Sequence, residues 1–138
     1  MKQVYYVFVL IGACFILLAA CLKPVFDGGQ YILIEKRVAE ENKYDEFKKV
    51  TAQKKVKQVR AILHSADWEK IKVEMERPSD YHFFFQYKNP NIEAKAVLYE
   101  LWITSNGDQV ELIENNKYVK LDQGVSAEMI ELLIGEKQ

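Results

Sequence analysis

The stretch that most constrains this chain is 95–121, where two tight turns divide three apolar-rich runs and each turn checks the register of the other. Asn106-Gly107 is a strong two-residue hairpin signal, because a type I′ turn needs positive φ at both central positions. Asn115-Asn116 supplies the second turn. Closing the first pairs Ile103 with Val110, Trp102 with Glu111 and Leu101 with Leu112. Closing the second pairs Leu112 with Val119, Glu111 with Lys120 and Val110 with Leu121. Paired residues share a face. Val97, Tyr99, Leu101, Ile103, Val110, Leu112, Val119 and Leu121 therefore gather on one side, and a slip of one residue would scatter them. The expectation is a three-stranded antiparallel meander.

Further elements surround it. Tyr31-Ile32-Leu33-Ile34 is short and β-prone and reads as a strand. Val38 to Val50 is ambiguous: Asp45 to Val50 suits a strand, while Tyr44, Phe47 and Val50 at spacing three suit a short helix, and the strand is preferred. Thr51 is placed to cap a helix running to about Ser65, with Ala52, Val56, Val59, Ile62, Leu63 and Ala66 on its apolar stripe. Trp68 to Glu76 reads as a strand with Ile71, Val73 and Met75 alternating, and Arg77-Pro78-Ser79-Asp80 as a turn. Tyr81 to Lys88 alternates aromatics and is a strong strand, ended by Asn89-Pro90-Asn91; Lys95 to Thr104 is the next. Ser126 is placed to cap a last helix carrying Met129, Ile130, Leu133 and Ile134, with Gly135 ending it. The class expected is α+β: an antiparallel sheet, the meander plus further strands, with two helices on one face in two layers.

The N-terminus is of another kind. Val4 to Ala20 carries no charge and is mostly aliphatic, a pattern that reads as an export signal rather than as part of the fold. It ends Leu18-Ala19-Ala20-Cys21. This resembles the lipobox of bacterial lipoproteins, in which the cysteine sulfur receives a diacylglyceryl group and the signal is cut just before it. The resemblance implies that residues 1–20 are removed, that Cys21 is lipid-modified, that residues 21–30 (with Pro24 and Gly28-Gly29) are a short tether, and that 31–138 is a single domain on the outer face of the cytoplasmic membrane. The competing reading is a retained transmembrane helix, at the lower limit of length. Two acyl chains suffice for stable anchoring.

Lys2 is the only charged side chain before Cys21, leaving 18 basic against 20 acidic residues beyond it, a balance that does not suggest a nucleic-acid binder. No cysteine follows Cys21, so the domain beyond it has no disulfide, cysteine-rich zinc site or thiol nucleophile. No phosphate loop, metal-ligand spacing or catalytic constellation is present, and no cofactor is implied. His64 and His82 have no carboxylate or serine placed beside them by spacing, and Glu74, Glu76 and Asp80 have no acid/base partner. Two features invite function. The outward face of the meander carries Leu98, Trp102, Ile113 and Tyr118, joined by Phe84, an unusual group for a solvated face; it is either a binding face or a surface covered by another element. Lys54, Lys57 and Arg60 belong to a basic stretch suited to anionic headgroups or wall polymer, or are a plain solvated helix face.

Residues 31–134 also resemble the small lipoproteins of Bacillus and its relatives called YhfM-like, in Pro78-Ser79-Asp80-Tyr81-His82-Phe83, in Tyr99-Glu100-Leu101-Trp102-Ile103, and in Asn106-Gly107 followed by Tyr118-Val119-Lys120-Leu121. The resemblance supplies no functional residues and implies a Gram-positive source. The expectation is a membrane-anchored, non-enzymatic binding domain with a protein or envelope-polymer partner. The alternatives are an accessory subunit of a membrane complex or an envelope enzyme with an unrecognised site.

Overall fold

The computed structural model describes residues 29–93 and 95–135. The expected export signal, Cys21 and most of the expected tether lie outside the described residues. Six strands form one open antiparallel sheet: β1 (Gln30–Arg37), β2 (Tyr44–Val50), β3 (Tyr81–Tyr87), β4 (Tyr99–Ile103), β5 (Val110–Glu114) and β6 (Lys117–Lys120), in spatial order β2-β1-β3-β4-β5-β6. Helices α1 (Gln53–Ser65) and α2 (Gln123–Leu133) pack on one face. This is the expected two-layer α+β domain.

The meander has the expected register. Ile103 lies opposite Val110, Leu101 opposite Leu112, Leu112 opposite Val119 and Glu111 opposite Lys120. The inner-face residues Leu101, Val110, Leu112, Val119 and Leu121 are buried together with Ile32, Ile34 and Phe83 of the other strands and with Val59, Met129 and Leu133 of the helices. Each such side chain contributes roughly 1.5–3 kcal/mol by leaving water. Val97 is the exception, because β4 begins only at Tyr99 and leaves it 45% exposed.

Several local expectations are corrected. The first turn is closed by Gly107 N–H donating to Thr104 O at 2.7 Å, and Gly107 rather than Asn106 holds the positive φ, at 74°. The turn is thus not type I′. The register survives because Thr104 still faces Gln109, bonded at 2.9 Å. Helix α1 starts one residue later than a Thr51 cap requires, behind Ala52 and without a side-chain cap. The cap of α2 is Asp122, which accepts from Val125 N–H at 2.9 Å. Ser126 sits inside that helix, fully buried. It accepts the Val110 N–H at 2.9 Å and donates to Leu121 O, tying α2 to β5. Gly135 ends α2 as expected, with φ 71°.

Residues 44–50 are a strand, as preferred. The pairing of β1 with β2 shifts at Ile34/Glu35, so that Ile34 faces Lys48 while Glu35 faces Glu46. Phe47 is the extra residue of this bulge. Its ring lies 5.8 Å from that of Tyr81 and beneath Lys36.

Candidate functional site

The second face of the sheet has its own covering. The segment expected as a strand over 68–76 pairs only at Glu69, through two 2.9 Å backbone bonds with Tyr118 at the sheet edge. From there the chain crosses the outer face as a strap. Its other end is stapled at Arg77 to Asp80. Trp102 Nε1 donates to Arg77 O at 2.9 Å, Asp80 N–H to Leu101 O at 2.9 Å, and Ile103 N–H to the Asp80 carboxylate at 2.8 Å. Arg77 grips the same carboxylate with both terminal nitrogens and reaches Ile103 O at 2.7 Å. Its hydrogen bond to Asp80 raises the guanidinium above its ordinary value, against a smaller opposing effect of burial.

This strap divides the expected binding face. Trp102 is 4% exposed, not accessible, and with Ile113 it lines a groove beneath Val73 and Met75. Tyr118 is half-buried and donates to Glu111 at 2.6 Å. Burial first, and that bond second, push its phenol up to about 12. Phe84 is half-buried beside Leu33, its partner on β1, on the outer face away from the groove. Leu98 lies outside β4 and is exposed. Of the five residues, the structure brings only Trp102 and Ile113 into one groove. The covering is nonlocal: Val73 and Met75 alternate like a strand, but their fixed points are on β4 and β6.

The groove is shallow and open to solvent, with about 440 Å³ of space. Tyr44, Ser79 and Glu100 line its polar side and belong to a cluster, reaching behind the wall to His82, that spacing did not reveal. Tyr44 of β2 stacks on His82 of β3 with ring centroids 3.6 Å apart, bridging over β1. The Tyr44 hydroxyl donates to Ser79 O at 2.8 Å and lies 2.9 Å from the buried Ser79 Oγ. His82 Nε2 is 3.7 Å from Glu100, its cross-strand neighbour, but makes no hydrogen bond; Arg37 Nε is likewise buried without a partner. Burial pushes the His82 imidazole down and the Glu100 carboxyl up, so both are biased toward neutrality and the pair gains little attraction. The arrangement offers hydrogen-bonding atoms rather than a charged anchor. Tyr44 carried a legible hint only in its aromatic character, since the stack depends on how three strands align.

Lys54 and Lys57 are exposed on α1. Arg60, also exposed, folds its guanidinium over Phe85 at 4.4 Å from the ring centroid. Among the described residues no group of three or more His, Cys, Asp or Glu is placed to hold a metal ion, and no helix is long and apolar enough to cross a membrane. No family model, curated protein or solved structure matches the chain.

Proposed function

We propose that this chain is a membrane-anchored extracytoplasmic lipoprotein, of the small Bacillus-type YhfM-like kind, whose domain binds a protein or envelope polymer and performs no chemistry of its own. The observation that carries the reading is Leu18-Ala19-Ala20-Cys21 at the end of an uncharged apolar run, with the first strand starting at Gln30. A signal, a lipid-accepting thiol, a short tether and a folded domain follow one another in the order that anchoring requires. The groove supports binding through polar contacts, because Asn42, Tyr44 and Glu100 are part of its lining. Lys54, Lys57 and Arg60 suit anionic headgroups or wall polymer.

Metabolic labelling tests this. Cells producing the full chain in the presence of radiolabelled palmitate should give a labelled band, and Cys21→Ser should abolish it. A wild-type protein that takes up no label refutes the proposal.

A further inference from the structure

The two ends of the sheet differ in chemistry. One end carries the turn between β1 and β2 and the hairpin between β4 and β5. Its exposed residues include Glu40, Glu41, Asn42, Lys43, Ser105 and Asn106, and the exposed large apolar side chain nearest to it, Phe47, lies against Tyr81 and Lys36. The other end carries the segment that joins β3 to β4. There Tyr87, Ile92, Val97 and Leu98 are each more than a third exposed, four of the six large apolar side chains so exposed among the described residues. Single exposed apolar residues are ordinary, but a concentration of them at one end of a domain marks a contact surface. Lys88 and Lys95 stand among them with one acidic residue, Glu93, and Arg60 lines the same hollow of about 520 Å³.

This end is also where the chain enters the domain. Gln30 pairs with Tyr87, and Lys88 N–H donates to Gly29 O at 2.8 Å. The start of α1 joins them, with Gln53 bonded to Gln30 O at 2.8 Å and Lys88 Nζ to Thr51 O. Eight residue steps separate Gly29 from Cys21, which span at most about 28 Å when fully extended. A lipid on Cys21 would hold this end of the sheet, and not the opposite one, near the bilayer.

We infer that the segment between β3 and β4 is a membrane-contact surface, seating Tyr87, Ile92, Val97 and Leu98 at the headgroup boundary of the leaflet that holds the anchor, with Lys88, Lys95 and Arg60 on anionic headgroups. This rests on the lipid-anchored reading above. Aliphatic side chains flanked by Tyr and Lys match that boundary, where amphipathic rings and long cationic stems place an apolar body in lipid and a polar tip in water.

Single-cysteine variants of the full chain test it, since acylation blocks Cys21. Val97→Cys and Ser105→Cys are produced in cells, checked for palmitate, and reconstituted in vesicles of phosphatidylglycerol and phosphatidylethanolamine. A nitroxide is attached at the new thiol. At Val97 its relaxation should respond more to dissolved oxygen than to a water-soluble nickel chelate; at Ser105 the order should reverse. Both positions are exposed, so labelling leaves the core intact. With palmitate present, a Val97 label as open to nickel as that at Ser105 overturns the contact surface alone. So does a label shielded from both reagents, which would mean that a protein or a second copy of the chain occupies the surface. Absence of palmitate overturns the anchor, and the contact surface with it.

Discussion

Asp80→Ala asks whether the strap over the outer face is held by its ends. The carboxylate accepts both terminal nitrogens of Arg77 and the Ile103 N–H. Arg77 is 44% exposed on its side chain, so its ion pair with Asp80 contributes only about 0–1 kcal/mol. The Ile103 N–H is part-buried on β4, and leaving it without an acceptor costs roughly 1–3 kcal/mol. Arg37 Nη2, 4.0 Å from the same carboxylate, loses a neighbouring charge as well. The expected loss is about 2–3 kcal/mol, or roughly 10–20 °C in Tm for a domain of this size. The second readout is local. Trp102 Nε1–H is bonded to the strap at Arg77 O, so its hydrogen exchange should quicken by more than the global loss accounts for, because the strap opens first. Urea unfolding gives the global term and the indole resonance of Trp102 the local one. Stability within about 0.5 kcal/mol of wild type, with unchanged indole exchange, would refute the stapled-strap account.

Two further outcomes follow from buried polar groups. Ser126→Ala removes the acceptor of the buried Val110 N–H and should cost about 2 kcal/mol in urea unfolding; Ser65→Ala, on the exposed side of α1, should cost under about 0.5 kcal/mol, and equal losses would count against the role given to Ser126. His82 is depressed below its unfolded value of about 6.5. As pH falls through that value the unfolded chain takes up the proton first, so stability rises with pH across this window and is lost below it. The Glu100 carboxyl, pushed up by burial, has the opposite sign nearer its own range. The comparison is therefore made between about pH 7.5 and 6, where His82→Gln should flatten the slope of unfolding free energy against pH. An unaltered slope would mean that His82 is not held neutral by its surroundings.

Local rules carried a large part of this fold. Period-two alternation over Leu101, Ile103, Val110, Leu112 and Val119, together with two tight turns, specified the meander. The register even tolerated an error in turn type, since either turn leaves Thr104 opposite Gln109. The apolar stripe of α1 is likewise legible, because neighbours three and four apart on a helix share a face whatever lies beyond. The cap of α2 is not decided by residue type, because Asp122 and Ser126 are both good capping residues. What separates them is the packing of Ser126 against β5.

The sequence by itself determined the apolar inner face, the meander register and the chemical character of the lead-in to Cys21, all of which depend on residues close in the chain. Only the tertiary structure decided what covers Trp102, why Tyr44 meets His82, and that Tyr87, Ile92, Val97 and Leu98 gather where the chain enters the domain. Those outcomes require segments far apart in sequence to meet. Alternation of side chains says which face a residue takes, but not which distant segment will lie over that face.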